Sequence, residues 1–384
     1  MVFRVVGMEI TWAAVVARRM RRHFLSEAAE TPVAAVRAMC GAHAQIAAAG
    51  EVSVALRVDG ANRESVQRDE GLVKTFGPRG TVHLLPLDDL PMWTGALSAV
   101  SGLSRGGQQP EPIRMTPDEL DQVVAAIGEA LANDDLTVDE LTEEVVRRTG
   151  EWARTPTIPA FQGAWARWRQ AVYLAAHAGV LCHGPMRGRL TTYSNPHRLR
   201  PFAPMPAEKA VTELLHRYLY SYGPATPQQF ARWLKATPTM VKPYFDDLPQ
   251  VELNGQTAWV APGDDEFPDD RAEGVRLLPY FDAYGVGSYP RELLFPGKAF
   301  GRATARGQAG NYPLLLVDGI VAGVWHQKKA GKKLHVTVEA LTPLNRRSRT
   351  LLDAEVDRLA AILGGAPDCA PSLTLGDVTV GAHA

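Results

Sequence analysis

Apolar residues near the start of the chain recur at helical spacing, and a segment of alternating residues follows them. Trp12 and Val15 fall on one helical face behind Thr11, a residue type that often caps helix N-termini. A second helix is predicted at Thr31, because a capping threonine followed by proline suits a helix start. An Ala-rich third helix and a hairpin over 72–85 come next. Three helices followed by a hairpin are the elements of a winged helix.

This order of elements recurs twice more, although not as a strict sequence repeat. The elements of the second copy are predicted at 136–141, 161–178 and 180–193. Those of the third copy, which ends in a hairpin on an Asn-Gly turn, are predicted at 208–222, 226–234, 237–248 and 251–260. The pattern therefore predicts three winged helices in tandem.

The last third of the chain has a different pattern. An acidic, proline-bearing linker over 262–273 leads into several apolar strands, which predict a small β-barrel or sheet. A closing helix is predicted over 345–363, and the tail beyond residue 364 is predicted to be loose. The expected fold class is α+β. The expected domains are winged helices over 1–110, 111–205 and 206–262, followed by a barrel domain over 263–384.

The composition is that of an ordinary globular protein with apolar cores. The 384 residues are 46% hydrophobic and 22% charged, and the formal net charge is −1. Most dedicated nucleic-acid binders are basic overall, so binding to DNA would have to use a local stripe of lysine and arginine.

The cysteine count and the N-terminus indicate the compartment. Cys40, Cys182 and Cys369 lie far apart, which argues against a disulfide framework and fits a reducing compartment. Arg4 and Glu9 interrupt any signal-peptide core, and no run of about 18 apolar residues exists. We expect a cytoplasmic protein without a membrane partner, and nothing in the sequence requires more than a monomer.

Four short strings, in this order and spacing, resemble a known family. They are His43-Ala44-Gln45, Arg79-Gly-Thr-Val-His83, Leu277-Leu-Pro-Tyr-Phe-Asp282 and Val317-Asp-Gly-Ile-Val-Ala-Gly-Val-Trp325. The chain resembles the AlkZ/YcaQ-type winged-helix DNA glycosylases of bacteria over roughly residues 5–363. The resemblance implies three tandem winged helices around a C-terminal β-barrel, which form a C-shaped groove for duplex DNA. It also implies monofunctional excision of N7-alkylated purines, including bulky adducts and, in some members, interstrand crosslinks.

The resemblance also implies where catalysis occurs. The family motif consists of two polar residues around one small or hydrophobic residue, and His43 and Gln45 take those positions here. The first residue departs from the glutamine that is common in the family. It is similar to the His-x-Gln variant of antibiotic self-resistance members that remove trioxacarcin-type guanine adducts. The predicted substrate is therefore a bulky N7-alkylated guanine in double-stranded DNA, and no cofactor or metal is expected.

This chemistry is compatible with one imidazole and one amide. Alkylation at N7 makes the purine cationic, so it is a good leaving group and needs no strong general acid. His43 can accept a proton from water near neutral pH, and Gln45 can orient that water or face the sugar cation. Residues i and i+2 share a side of an extended backbone, and Gly41-Ala42 before the motif makes an extended backbone plausible.

Other interpretations of these residues remain open. A histidine and a glutamine two positions apart are uninformative without the surrounding pattern. Cys40 and His43 could be half of a metal site, although no partner pair has ligand spacing. His83 is better explained as a structural histidine that hydrogen-bonds within the hairpin.

Candidate DNA contacts are basic residues at predicted hairpin tips: Arg79, Arg187, Arg189, Lys328, Lys329, Lys332 and Lys333. The alternative for each of them is a solvated turn. The cluster over 18–22 is predicted to form a solvent face. A transcription regulator is the main rival function, but the helix over 237–248 lacks Arg, Asn and Gln for base reading. A protein-interaction module and a bifunctional lyase are further rivals, and for the lyase the nearest lysine in sequence is Lys74.

Overall fold

The helices and strands of the structure group into two compact units. The computed structural model describes residues 9–102, 110, 113–160, 163–264, 266–268, 271–330, 333–364 and 370–379. Unit 1 combines Met1–Glu70, Leu215–Trp233 and Thr237–Ala384, and unit 2 combines Gly71–Leu214 and Leu234–Ala236. The division into four domains stays a prediction.

Capped helices open the chain as the sequence predicts. The side chains of Thr11 and Thr31 accept hydrogen bonds from Ala14 N and Ala34 N and so cap the first two helices. The elements of this part are β1 (Glu9–Ile10), α1 (Trp12–Arg22), α2 (Pro32–Ala38), β2 (Ala42–His43), α3 (Ala47–Ala55), α4 (Arg63–Gln67), β3 (Leu72–Phe76), β4 (Val82–Pro86) and α5 (Leu90–Gly102).

The second part departs from the prediction of one helix over 161–178. A hairpin, a 3₁₀ segment (Arg167–Ala171) and a short α8 lie there, because Gly163 adopts a φ of 97° that ends helical geometry. Phe161 lies outside the described residues. The elements are α6 (Pro117–Ala130), β5 (Leu136–Thr137), α7 (Val138–Thr149), β6 (Pro156–Ala160), β7 (Gly163–Ala166), α8 (Val172–His177), β8 (Cys182–His183) and β9 (Thr192–Ser194).

The third set of elements follows the sequence closely, with one exception. Thr226 and Gln229 form a reciprocal capping box at the start of the second helix. The predicted recognition helix over 237–248 is short and continues as a 3₁₀ turn at Lys242–Phe245, because Pro243 cannot donate a backbone hydrogen bond. The elements are α9 (Ala207–Tyr222), α10 (Pro227–Leu234), α11 (Pro238–Val241), β10 (Gln250–Leu253) and β11 (Gln256–Trp259), and β1 pairs with β10 in parallel.

The C-terminal part forms an open sheet and not the predicted barrel. Its five strands lie in the order β12-β13-β14-β15-β16, and within the described residues the two end strands are edges. The long helix α15 packs against this sheet, so its apolar residues are buried without closure. The elements are β12 (Val275–Leu278), α12 (Ala283–Gly287), α13 (Arg291–Leu294), α14 (Lys298–Ala303), β13 (Leu314–Val317), β14 (Ile320–Ala330), β15 (Lys333–Ala340), α15 (Arg346–Gly364) and β16 (Ala370–Leu375).

The strand β16 also corrects the prediction of a loose tail. It pairs in parallel with β15 from Lys333↔Ala370 to Val338↔Leu375, so its backbone satisfies the otherwise open edge of that strand. The residues 365–369 and 380–384 lie outside the described part. None of the helices that the structure describes is long and apolar enough to cross a membrane.

Candidate active site

The backbone leaves helical geometry just before the predicted catalytic motif. The helix α2 ends at Ala38, and Cys40 and Gly41 then adopt φ values of 50° and 93°. The chain continues as the two-residue strand β2, and α3 begins two residues after Gln45. The motif therefore starts on extended backbone, as expected, and not within a helix.

A glycine in α3 lets that helix pack closely against the motif. A Cβ atom added at Gly50 would lie 2.8 Å from the carbonyl oxygen of His43 and 3.1 Å from Cα of Ala44. Real Cβ atoms essentially never approach a carbonyl oxygen so closely, so any larger residue would displace the motif backbone or the helix. Gly50 thus sets the distance between α3 and the motif.

The two motif side chains have different surroundings. His43 is 9% exposed and stacks on Phe281, with ring centroids 4.7 Å apart and ring planes 18° apart. Gln45 is exposed. Stacking holds the imidazole by its face, and the Nδ1 atom of the ring is buried.

Phe281 is held by an unusual backbone conformation. Its φ is 56°, and its backbone N–H donates to the carbonyl oxygen of Gly310 at 2.8 Å. Left-handed backbone is costly for a bulky residue and persists where the surrounding structure enforces it. The ring that supports His43 is therefore fixed by the backbone as well as by packing.

A buried ion pair fixes the residue that follows Phe281. The carboxylate of Asp282 accepts hydrogen bonds from Arg57 at 2.9 Å on each oxygen and from the Ser53 hydroxyl at 2.6 Å, and both charged side chains are fully buried. Burial by itself raises the pKa of Asp282, but the Arg57 charge and the hydrogen bonds outweigh it, so the pKa lies below its usual value. Ser53 and Arg57 flank the C-terminal end of α3, so this network connects α3 to the Phe281 segment.

The basic cluster over 18–22 does not form the predicted solvent face. Arg18 and Arg19 are buried. Arg18 pairs with Asp264, and Arg19 donates to the carbonyl oxygens of Gly223 and Pro224 at 3.4 Å. A helical pattern does not show which groups distant in the sequence, here Asp264 and the carbonyl oxygens of Gly223 and Pro224, contact these guanidinium groups.

The first hairpin holds two of the predicted residues in unit 2. The Nδ1 atom of His83 lies 2.8 Å from the carbonyl oxygen of Thr81, and the backbone of Gly77 packs against the ring. This contact confirms the structural interpretation of His83. Arg79 sits at the hairpin turn with a φ of 64°.

The remaining predicted DNA contacts lie at two hairpins. In unit 2, Arg187 and Arg189 are exposed at the tip between β8 and β9, and Arg187 donates to Glu140 at 2.7 Å. In unit 1, Lys328 and Lys329 are exposed at the end of β14, and Lys333 is exposed at the start of β15. Lys332 lies outside the described residues.

Sequence reasoning missed the support beneath the motif. Phe281 and Asp282 were part of a family string, but no local pattern indicated that they would contact α3 or His43. The sequence gives no local signal for the role of Gly50, which depends on the neighbouring backbone of His43 and Ala44.

Comparisons with known proteins agree with one another. A family model described as "DNA glycosylase AlkZ-like" matches residues 36–362. The chain is 32% identical over 343 residues to an "Interstrand DNA cross-link repair glycosylase" of Streptomyces sahachiroi, covering 83% of this chain and 88% of that one. The solved structure of Streptomyces sahachiroi DNA glycosylase AlkZ matches with a TM-score of 0.78 and 26% identity, covering 96% of this chain and all of that chain.

Proposed function

Because the chain belongs to the AlkZ-like DNA glycosylase family and is therefore an enzyme that acts on DNA, we propose that it excises bulky N7-alkylated guanine. The enzyme hydrolyses the N-glycosidic bond and leaves an abasic site. The relative named as an interstrand cross-link repair glycosylase supports a large adduct as substrate. Three tandem winged helices and a C-shaped groove for duplex DNA belong to this proposal.

The observation that carries the proposal is the geometry of His43 and Gln45. The imidazole ring of His43 is stacked on Phe281 and largely buried, while the side-chain amide of Gln45 is exposed. A fixed imidazole can take a proton without reorganising, and an exposed amide can contact a sugar or a water from the solvent side. Both residues occupy the two polar positions of the family motif.

The reaction follows from the charge of the base. When the bond between C1′ and N9 breaks, its electron pair leaves with the guanine and neutralises the cation created by alkylation. The sugar becomes oxocarbenium-like, as in glycoside hydrolysis. The oxygen of a water then bonds to C1′, His43 takes the proton of that water, and the carbonyl oxygen of Gln45 stabilises the developing positive charge or orients the water.

Basic hairpin tips would hold the DNA backbone in this proposal. Lys328, Lys329 and Lys333 lie at one such tip, and Arg79, Arg187 and Arg189 lie at two others. Lys332, which lies outside the described residues, belongs to the first group in the sequence. Phosphates would have to compete with Glu140 for Arg187, because that arginine is already ion-paired. We therefore expect the lysines to contribute more to binding than Arg187.

The test is a single-turnover excision assay on a duplex with one bulky N7-alkylguanine, in which free base and abasic site are measured. Wild-type protein should release the base. His43→Ala should slow release by about 100-fold or more, because positioned proton transfer contributes roughly that much. Gln45→Ala should slow release by about 100-fold, because it removes a positioned dipole. DNA affinity should stay nearly unchanged.

Matched controls separate catalysis from folding. His335→Ala and Gln256→Ala remove exposed residues of the same two types outside the motif, and they should leave the rate unchanged. Release of no adduct by folded wild-type protein that still binds DNA would refute the proposed substrate class. Loss of DNA binding or of thermal stability in both motif variants would make His43 and Gln45 structural.

A further inference from the structure

A tight turn beside the motif carries an arginine that the reaction described above does not use. The backbones of Ala305 and Gln308 exchange two hydrogen bonds of 2.9 Å, so Arg306 and Gly307 are the central residues of a two-residue turn. Arg306 is exposed, and within the part of the chain that the structure describes no carboxylate pairs with it. Its guanidinium can therefore bind a ligand without first giving up an ion pair.

The turn is connected to the motif through one aromatic ring. Phe281, on which the His43 imidazole stacks, donates its backbone N–H to the carbonyl oxygen of Gly310 at 2.8 Å. A Cβ atom added at Gly310 would lie 2.7 Å from Cδ1 of Phe281, so the Gly310 backbone packs against the same ring. Four residues span at most about 14 Å, so the backbone of Arg306 lies within about that distance of Gly310. This distance equals the rise of about four base pairs of DNA.

Both ends of the turn are anchored. Thr304 is buried, and its hydroxyl donates to the carbonyl oxygen of Phe300 at 2.6 Å. On the other side, Ala309 packs against an apolar core cluster of unit 1. The backbone that carries Arg306 is thus held in place without a ligand, which lowers the entropy that binding has to overcome.

Arginine is an unusual residue for this backbone conformation. Arg306 and Gly307 both have left-handed backbones, with φ values of 51° and 77°. In two other turns of unit 1, the residue that precedes a left-handed glycine is Asn254 or Asp318, and both residue types tolerate this conformation better than arginine does. A side chain that is unfavourable for its own turn indicates a role other than folding.

The charge of the surrounding segment favours a phosphate. Residues 293–317 include Lys298, Arg302 and Arg306 but no aspartate or glutamate. Glu339 pairs with Arg302 at 2.7 Å, whereas Lys298 is exposed like Arg306. A planar guanidinium matches two oxygens of one phosphate, and phosphates are the anions that DNA brings to the motif.

We propose that Arg306 binds a DNA phosphate within about four nucleotides of the base at the His43 motif and so positions that nucleotide. This role rests on the proposed function, because it takes DNA bound at the motif to be the substrate. Arg306 is a positioning residue in this scheme, and it adds a contact to those at the basic hairpin tips.

Neutralising one phosphate at a time tests this contact. In a set of duplexes with one tetrahydrofuran abasic analogue, single methylphosphonates replace successive phosphates of both strands, and the affinity of the intact protein is measured by fluorescence anisotropy. Arg306→Asn should bind the unmodified backbone about tenfold more weakly than wild type, since it loses a charge-assisted hydrogen bond. At one or two phosphates near the analogue, the methylphosphonate should weaken wild-type binding about tenfold and leave the binding of Arg306→Asn unchanged.

Three comparisons separate this contact from folding and from general charge. Asparagine suits the turn, so the thermal unfolding midpoint of Arg306→Asn should not fall below that of wild type. Arg306→Lys keeps the charge and should retain the salt dependence that Arg306→Asn loses. Arg349→Gln removes an exposed arginine of α15, and it should respond to each methylphosphonate as wild type does.

Independent effects would overturn the proposal. If Arg306→Asn loses as much affinity as wild type at every methylphosphonate, or if the coupled phosphate lies further than about four nucleotides from the analogue, Arg306 does not bind a phosphate beside the motif. Binding is measured here without excision. Failure to release N7-alkylguanine would therefore refute the proposed substrate and not this contact, so the two failures can be distinguished.

Discussion

The two units bury their side chains in different ways. The core of unit 2 is built from aliphatic and aromatic residues, with Val123, Leu141 and Trp168 among the fully buried ones. Unit 1 also buries apolar residues, but it adds the Arg57–Asp282 pair, Arg19 and His23 to its interior. The predicted catalytic motif lies in unit 1.

This difference indicates what each interior does. An apolar core stabilises through area removed from water, whereas a buried ion pair contributes little net stability because desolvation offsets the attraction. Such a pair fixes geometry when both partners are fully hydrogen-bonded, as Arg57 and Asp282 are. We infer that the charged interior of unit 1 positions α3 and Phe281 around the motif, while the core of unit 2 relies mainly on apolar packing.

Breaking the buried pair should have the largest effect on stability. Asp282→Ala leaves Arg57 charged and uncompensated in the interior, so the free energy of unfolding should fall by about 3–5 kcal/mol in urea denaturation. Glu143→Ala breaks an exposed ion pair with Arg154 in unit 2 and should leave the unfolding midpoint unchanged. Similar losses in both variants would remove the distinction between the units.

Acid should weaken unit 1 through His23. Burial, and then the charge of Arg57, lower the pKa of His23 to about 3. The unfolded chain therefore takes up a proton below pH 6.5 that the folded chain does not, and stability is lost as the pH falls from 6.5 toward 3. The loss should reach about 2 kcal/mol by pH 5.

The measurement is the pH dependence of the unfolding free energy in His23→Gln. Its slope between pH 6.5 and 3 should be smaller than that of wild type. His177→Gln is the matched change in unit 2, where burial lowers the pKa of His177 to about 4. The slope of unfolding free energy against pH in this variant should be smaller than that of wild type only down to about pH 4. A wild-type slope in His23→Gln would show that this imidazole does not stay neutral in the folded state.

Adding one methyl group to α3 should impair excision more than stability. Gly50→Ala forces the helix away from His43 and Ala44, at a cost of about 1–3 kcal/mol in the unfolding free energy. The excision rate should fall further than this loss explains, because the motif backbone moves. Gly128→Ala in α6 places its Cβ 3.3 Å from Cβ of Val180, and the better helix propensity of alanine offsets that contact. If Gly50→Ala is as active as Gly128→Ala, the contact between α3 and the motif does not matter.

The smallest effect on stability is expected at the exposed lysine hairpin. Changing Lys328, Lys329, Lys332 and Lys333 together to Ala should leave the unfolding midpoint unchanged, in contrast with Asp282→Ala. DNA affinity should fall, and the slope of log affinity against log salt should decrease by about 0.9 for each lost phosphate contact. An unchanged slope would exclude the hairpin as a phosphate contact.

Local signals predicted much of the fold. Capping residues located the starts of α1, α2 and α10, and the Asn-Gly turn located the hairpin of β10 and β11, because these features depend on neighbouring residues. The local pattern left a barrel and a sheet open, and neither the open strand order nor the strand β16 could be predicted, since pairing with a distant strand has no local signature. Similarly, His43 and Gln45 could be proposed from the motif, but the Phe281 stack and the Arg57–Asp282 pair join segments more than 200 residues apart.

The most direct test of the central claim compares two leaving bases that differ in charge. The same duplex is prepared with a cationic N7-alkylguanine and with its imidazole-ring-opened form, which carries the same alkyl group on a neutral base. The excision rate of each is measured under single-turnover conditions with wild-type protein and with His43→Ala. The account predicts that wild-type protein releases the cationic base at least about 100-fold faster than the neutral one, and that His43→Ala slows this release. Equal rates for both bases in wild-type protein would contradict it.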